Sequence, residues 1–118
     1  VMAPSSDSSM ELAVRREGPG AVVAVRGSVN MAEAERLRET LSELADARAP
    51  TIVLDVSDMD FIASEGLGGI IQAHLKCRRH GGSIRFVGAS DNVVRLLETT
   101  RLIRLFPLYD DVEAALAE

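Results

Sequence analysis

The residue types with the most chemical potential lie between positions 55 and 69 of this 118-residue chain. Residues 55–60 hold three aspartates directly after the apolar run 51–54, and Ser64 and Glu65 follow a few positions later. Carboxylates at the end of a strand can hold Mg²⁺ against a substrate phosphate. An exposed serine between a strand and a helix is the nucleophile of many hydrolases. Two enzymatic hypotheses therefore arise from one stretch.

Ser64 lacks the surroundings that a nucleophile needs. The hydrolase elbow has glycine two positions before and two after the serine, but here those positions hold Ile62 and Gly66. His74 and His80 follow on the same predicted helix, and His74 lies about 15 Å from Ser64 at roughly 1.5 Å of rise per residue. A base at that distance cannot take the hydroxyl proton. We therefore predict no catalytic residue, and interpret Ser64 as the N-cap of the helix, bonded to the amide three residues later.

The phosphotransfer hypothesis would rest on Asp55 with Mg²⁺. Such a site also needs a basic clamp on the phosphate, but Lys76 is the only lysine, and Asp110 and Asp111 are far along the chain. Aspartate and serine are common in turns because their side chains bond the local backbone. We therefore predict that residues 55–60 are a solvated loop, keep the Mg-dependent enzyme as a weaker alternative, and predict no cofactor.

His74, Cys77 and His80 have the residue types of metal ligands on one helix. Positions i, i+3 and i+6 spread over about 120° of the helix surface, so the three side chains do not converge on one ion. His74 also falls among apolar residues. We predict no metal site, and place His74 in the core or at its boundary.

The predicted helix start at Ser64 and Glu65 is suited to negative charge. Its first amides have no partner within the helix, and the helix dipole is positive there. Glu65, as the first helical residue, would be stabilised by a few tenths to about 1 kcal/mol. Gly66, Gly68 and Gly69 either leave this backbone open to another surface or allow the helix to pack tightly on the sheet. The residue types favour the two explanations equally.

The whole chain has an alternating α/β pattern. The predicted order is β-β-α-β-α-β-α-β-α, with strands at residues 10–16, 21–25, 51–56, 83–87 and 105–108 and the central helix at residues 64–80. Strands joined through helices prefer parallel neighbours with right-handed crossovers, and the first two strands form an antiparallel hairpin. We predict a single mixed, mostly parallel β-sheet covered by about four helices. Residues 1–9 are expected to be a disordered tail, and residues 10–118 to be one domain.

Several helix ends have recognisable signals. Asn30 and Asp110 each have a glutamate three positions later, which is the spacing of a capping box. Ser90 is the expected N-cap of the third helix. The glycine pair at residues 81–82 is the expected stop of the second helix.

Composition argues against several classes of protein. A net charge of −5 and an aromatic content of 3% disfavour nucleic-acid binding, which needs a basic stripe and stacking side chains. No apolar run approaches the roughly 20 residues that span a bilayer. No signal-peptide pattern begins the sequence, so we expect a cytoplasmic protein without membrane insertion. Cys77 is the only cysteine, which agrees with a reducing compartment.

Residues 55–57 (Asp-Val-Ser) and 61–68 (Phe-Ile-Ala-Ser-Glu-Gly-Leu-Gly) together resemble the signature of the STAS domain. This domain occurs in anti-sigma-factor antagonists and in sulfate transporters. Residues 25–30, a glycine pair before a strand, and residues 102–106 support the resemblance, which extends over about residues 10–118. It implies a STAS-like fold.

In the antagonist branch of that family, a kinase that is itself the anti-sigma factor phosphorylates the residue directly before the signature glycine. The unphosphorylated form binds the kinase and frees the sigma factor. By this resemblance the phosphoacceptor position is Glu65, and Ser64 precedes it. Two positions that usually hold aspartate are Ala63 and Asn30. Glutamate cannot accept the phosphate and imitates phosphoserine only in part.

The resemblance implies a non-catalytic protein–protein interaction module. The leading hypothesis is an anti-sigma-factor antagonist that binds a kinase-type anti-sigma factor, either held in a phospho-like state by Glu65 or phosphorylated at Ser64 instead. The alternative is a STAS subunit of a transport or scaffold complex. We expect a monomer or weak dimer. The expected docking surface comprises Asn30, Ala63, Ser64, Glu65, Gly66 and Leu67.

Overall fold

The computed structural model describes residues 10–117, which form five strands, four α-helices and one 3-10 helix. The strands are β1 (Met10–Glu17), β2 (Gly20–Val29), β3 (Thr51–Ile62), β4 (Ser83–Val87) and β5 (Leu108–Tyr109). The α-helices are α1 (Met31–Asp46), α2 (Ser64–Arg78), α3 (Asp91–Thr99) and α4 (Val112–Ala117), and the 3-10 helix is Leu102–Arg104. Residues 1–9, predicted to be a disordered tail, lie outside the described residues.

The strands form one mixed sheet in the order β1-β2-β3-β4-β5. β1 and β2 pair as an antiparallel hairpin, whereas β2 to β5 are parallel. Because each parallel strand lies beside its predecessor in the chain, right-handed crossovers place α1, α2 and α3 on the same face of the sheet. The predicted mixed, mostly parallel sheet and its order of elements are confirmed.

The main hydrophobic core lies between the sheet and the layer of α1, α2 and α3. Alternate residues of the central strands, such as Val23 and Ile52, point into it. The residues between them, such as Val22 and Val53, point to the opposite face, where Ala115 of α4 completes a smaller cluster. Strands buried on both faces are therefore continuous apolar runs in the sequence.

β3 is longer than the sequence predicted. It extends to Ile62, so residues 55–60 belong to a strand, and the prediction of a solvated loop was wrong. These residues pair with β2 through two register shifts, each of which leaves one extra residue in β3. Such bulges let polar residues enter a strand while most of the backbone ladder is kept. The pairing partner is distant in sequence, and local residue types could not indicate it.

The helix ends follow the predictions in part. Ser90 caps α3, and its Oγ accepts the N–H of Val93 at 3.2 Å. α2 ends at Arg78, two residues before the predicted end. The glycine pair still closes the helix, because the N–H of Gly82 donates to the carbonyl of Cys77 at 2.8 Å.

Two predictions near the C-terminus were displaced. The side chain that caps α4 belongs to Asp111 and not to Asp110, since its Oδ1 accepts the N–H of Ala114 at 2.8 Å. The strand predicted at residues 105–108 is the two-residue β5, because the chain before it turns through a 3-10 helix. Among the helices of residues 10–117, none is long and apolar enough to cross a membrane.

Candidate partner-binding site

The starts of α1 and α2 lie side by side at the carboxyl ends of β2 and β3. Val29 and Ile62, the last residues of those strands, are paired in the sheet. The N–H of Ala63 donates to the carbonyl of Val29 at 2.8 Å, which fixes the first turn of α2 next to Asn30, the N-cap of α1. The structure therefore brings Asn30 together with the start of α2, although more than thirty positions separate them in the sequence.

The N-cap of α2 lies one residue earlier than predicted, although the helix itself starts at Ser64 as the predicted range did. Its N-cap is Ala63, whose carbonyl accepts the N–H groups of Gly66 and Leu67 at 2.9 and 3.2 Å. Ser64 is thus the first helical residue and Glu65 the second, so the predicted cap role of Ser64 was wrong. An alanine side chain accepts no hydrogen bond, and the helix consequently starts without a side-chain cap.

The electrostatics of the α2 start favour negative charge. Ser64 and Glu65 are both exposed. Within residues 10–117, neither of their backbone amides has a hydrogen-bond acceptor. Free first-turn amides and the dipole of a 15-residue helix stabilise anionic groups at this end. Glu65 places a carboxyl group at this end of the helix.

The glycines of α2 serve different purposes. A Cβ on Gly66 would lie 2.8 Å from Cγ1 of Ile62 and 2.9 Å from Cγ1 of Val29, and one on Gly69 would lie 2.9 Å from Cβ of Arg38 in α1. These two glycines allow tight packing. A Cβ on Gly68 would meet no atom within 4 Å, so this position faces open space. The two explanations that the sequence left equal therefore apply to different glycines.

Two large apolar side chains beside the helix start are exposed. Phe61 is 53% exposed and Met31 is 68% exposed. Phe61 is paired with Ser28 just before the end of β3, and Met31 is the first residue of α1. Sequence reasoning missed both as site residues. Once residues 55–60 are read as strand, the buried Ile62 next in the chain would have indicated that Phe61 points the other way.

We call the exposed side chains of Asn30, Met31, Phe61, Ser64 and Glu65 the α2-start surface. Of the predicted docking residues, Asn30, Ser64 and Glu65 are exposed, whereas Ala63 is half-buried. Gly66 and Leu67 are buried, so they shape the helix start from below.

Asn30 is the N-cap of α1, as predicted, but its side chain does not form the predicted capping box. The carbonyl of Asn30 accepts the N–H groups of Glu33 and Ala34 at 3.1 and 3.0 Å, as a backbone N-cap does. Its side chain makes no cap hydrogen bond. Oε1 of Glu33 is buried without a hydrogen-bond partner. Asn30 therefore defines the start of α1 while its side chain stays on the surface.

The aspartates of β3 do not converge on one point. Oδ1 of Asp55 accepts the backbone N–H and the hydroxyl of Ser57, at 3.1 and 2.6 Å. Asp58 faces Arg26, with Oδ2 and Nε 3.9 Å apart. Across residues 10–117, no group of three or more histidine, cysteine, aspartate or glutamate side chains is placed to hold a metal ion. The geometry gives the Mg-dependent hypothesis no support.

His74 is part of the core, as predicted. It is 2% exposed, its Nδ1 accepts the N–H of Ile84 at 3.1 Å, and its ring packs edge-on against Phe106 with centroids 5.0 Å apart. Burial, and secondarily the charge of Arg78, lower the pKa of His74. Burial also raises the pKa of the Cys77 thiol. Both groups are therefore held in their neutral forms.

The model of the STAS domain family matches residues 12–115, which is most of the chain and includes the α2-start surface. The chain belongs to the STAS domain family. The anti-sigma F factor antagonist of Paenibacillus polymyxa is 29% identical over 92% of this chain and 96% of its own length. The anti-sigma-B factor antagonist of Bacillus subtilis is 29% identical over 68% of this chain and 72% of its own.

A solved structure agrees with this membership. The crystal structure of an anti-sigma factor antagonist from Mycobacterium paratuberculosis superposes with a TM-score of 0.83 at 26% identity. The similarity covers 98% of this chain and 97% of that chain. The STAS fold predicted from the signature residues is thus confirmed over the described residues.

Proposed function

We propose that this STAS domain is an anti-sigma-factor antagonist, a non-catalytic cytoplasmic regulator that acts by partner switching. The observation that carries the proposal is the exposed start of α2 on a chain whose relatives bear that name. The aspartates of β3 are dispersed, and each of the two histidines is hydrogen-bonded to a backbone group of another element. Recognition of another protein is therefore a better match to the site than turnover of a substrate.

The α2-start surface has the composition of a small interface. Phe61 and Met31 offer apolar area that a partner can bury, and aromatic side chains dominate the energetics of many interfaces. Asn30, Ser64 and Glu65 are exposed polar side chains at the same end of the sheet. Gly68 leaves the next turn of α2 open to close approach. Because Phe61 is 53% exposed, burial of its remaining surface would contribute about half of the value for a fully exposed side chain, roughly 0.8–1.5 kcal/mol.

The partner proposed for this surface is a kinase-type anti-sigma factor. Glu65 places a negative charge where the family resemblance places the phosphoacceptor. This position is at the N-terminal end of α2, where the helix dipole stabilises negative charge. A phosphoserine would carry more charge and three acceptor oxygens. Glu65 therefore weakens binding of the kinase without abolishing it, and removes the usual on–off switch.

Binding is tested with the purified anti-sigma factor by isothermal titration calorimetry. Phe61→Ala is expected to weaken the complex by about 0.8–1.5 kcal/mol, which is roughly four- to twelvefold. Leu75→Ala is the matched control, because Leu75 is 52% exposed but lies eleven residues along α2, about 16 Å from Ser64. Equal losses for the two variants, or none for either, would contradict the proposed surface.

The switch is tested by incubation with the kinase and ATP, followed by peptide mapping. Glu65→Ser should bind at least tenfold more tightly than the natural sequence and acquire phosphate at position 65. Phosphate on Ser64 of the natural sequence, absent from Ser64→Ala, would show that the acceptor is one residue earlier. A kinase that binds neither form would overturn the assignment, and stable capture of a non-kinase partner unaffected by Glu65→Ser would favour a scaffold role.

A further inference from the structure

A second surface with a distinct chemistry lies at the other end of α2. A cleft of about 400 Å³ opens beside β4, and its lining includes Arg78, Arg85, Arg104, Ser83 and Tyr109. Arg78 ends α2, fourteen residues after Ser64, so it lies about 21 Å along the helix from the α2-start surface. The cleft is therefore separate from the proposed docking site.

The cleft exists because β5 is short. β5 pairs only with Phe86 and Val87, so the first half of β4 has no neighbouring strand on its outer side. The N–H of Ile84 on that edge is already bound to Nδ1 of His74. An added peptide strand would find this donor occupied. The open edge is thus better suited to a small ligand than to strand addition.

The charge of the cleft is one-sided. Arg78, Arg85 and Arg104 line it, and no aspartate or glutamate does. Within residues 10–117, neither Arg78 nor Arg104 is in an ion pair. On a chain with a net charge of −5, three arginines around one cleft are a local inversion of sign. Compensation of the helix dipole explains Arg78 but not Arg85, which is in a strand, or Arg104, which is in a 3-10 helix.

One of the three arginines is held in place. Arg85 donates from Nη1 to the carbonyl of Ala115 at 2.6 Å and from Nε to Oγ of Ser83 at 3.2 Å, and it lies 5.8 Å from the ring centroid of Tyr109. The Ser83 hydroxyl accepts this bond, so its own proton is available to another acceptor. Arg78 and Arg104 are exposed and free to close on a ligand.

We propose that this cleft binds a small organic phosphate, with Arg78 and Arg104 contacting the phosphate group and Arg85 forming a fixed wall. Guanidinium groups match phosphate oxygens through paired N–H donors. The volume lies in the range of small-molecule sites, roughly 300–1,000 Å³, and leaves room for an organic group beyond the phosphate. Tyr109 offers an aromatic face and a hydroxyl for that group.

The test is calorimetric titration with adenosine monophosphate and, separately, with inorganic pyrophosphate. We expect the nucleotide to bind more tightly, and Arg78→Gln/Arg104→Gln to weaken that binding at least tenfold. Arg16→Gln/Arg95→Gln is the matched control, since it removes the same charge from two exposed arginines outside the cleft. Thermal unfolding of each variant checks that the fold is kept.

Backbone amide shifts give a second measurement of the same site. The nucleotide should move the signals of Ser83, Ile84 and Tyr109 and leave those of Ser64 and Glu65 in place. Equal weakening in the control variant would show a general charge effect and overturn the proposal. Equal affinity for pyrophosphate would overturn its organic part, and absence of heat and of shifts with millimolar nucleotide would overturn the site itself.

Discussion

At the scale of single residues, Gly66 and Gly68 belong to the same turn of α2 but face different surroundings. Gly66 fits against the ends of β2 and β3, where a Cβ would come within 3 Å of Val29 and Ile62. Gly68 faces open space. A methyl group added at these two positions therefore has opposite consequences for stability.

We predict that Gly68→Ala raises the free energy of unfolding by up to about 1 kcal/mol, because alanine is the better helix former. Gly66→Ala should lower it, since overpacking costs about 1–3 kcal/mol and exceeds the same helical gain. Urea denaturation of the two variants measures both effects. A stabilised Gly66→Ala variant would show that the helix start is not tightly packed.

His74 closes an otherwise open position on the edge of β4. Its Nδ1 accepts the N–H of Ile84, so the ring carries its proton on Nε2 when neutral. Burial and the charge of Arg78 lower its pKa in the folded protein. In the unfolded chain the pKa returns to about 6.5.

The folded protein should therefore lose stability as the pH falls below about 6.5, since the unfolded chain then takes up a proton that folded His74 resists. The loss from this group is at most about 1.4 kcal/mol per pH unit, and it ends below the folded pKa. Above about pH 7.5 the contribution should be constant. His74→Gln keeps an acceptor for Ile84 without titrating, so its unfolding free energy, measured by urea denaturation, should have a smaller pH slope. Identical slopes in the two proteins would refute the role of His74.

At the scale of elements, the helices start in two ways. α3 starts with Ser90, whose Oγ accepts the N–H of Val93. α2 starts with Ala63, and the serine beside it is already helical. The exposed first turn of α2 thus lacks the side-chain cap that would compete with a partner for its amides.

We predict that Ser90→Ala costs about 1 kcal/mol of stability, because it removes a side-chain cap. Ser64→Ala should be neutral or slightly stabilising, since alanine is the better residue inside a helix. Thermal or urea unfolding distinguishes the two outcomes. If Ser64→Ala cost as much as Ser90→Ala, then Ser64 would be a cap in solution. A neutral result would also make Ser64→Ala a clean variant for the phosphorylation experiment.

At the scale of the whole molecule, the sequential strand order decides where function can lie. In doubly wound α/β folds, ligands bind at the topological switch point, where the strand order reverses. Here the order β1 to β5 contains no reversal, so the sheet offers no such crevice within residues 10–117. The helix starts at the carboxyl ends of the strands, and the open outer edge of β4, are instead the places where this fold leaves surface for recognition.

Labelling of the buried Cys77 thiol can show whether the domain unfolds as one cooperative unit. It is 0% exposed in the main core, and burial raises the pKa of its thiol. We predict that thiol-reactive dyes label it only through global unfolding. The opening free energy from labelling rates should then equal the free energy of unfolding in urea. A clearly smaller opening free energy would show that α2 separates from the sheet locally.

The sequence by itself determined the alternation of strands and helices, the hairpin and the STAS signature. These depend on periodicity and on local residue types, which a single chain displays directly. The cap at Ser90 and the burial of His74 were predictable for the same reason. The sequence analysis chose Asp110 as the cap of the last helix instead of Asp111, because either of two adjacent aspartates can cap a helix and local residue types do not distinguish them.

Only the tertiary structure decided the rest. Residues 55–60 became a strand because β2 lies beside them, and Ser64 lost its cap role because Val29 fixes the chain at Ala63. The same pairing placed Asn30 beside the start of α2, and the shortness of β5 left the first half of β4 open at the arginine cleft. Each of these features depends on contacts between residues that are distant in sequence, and local propensities carry no information about such contacts.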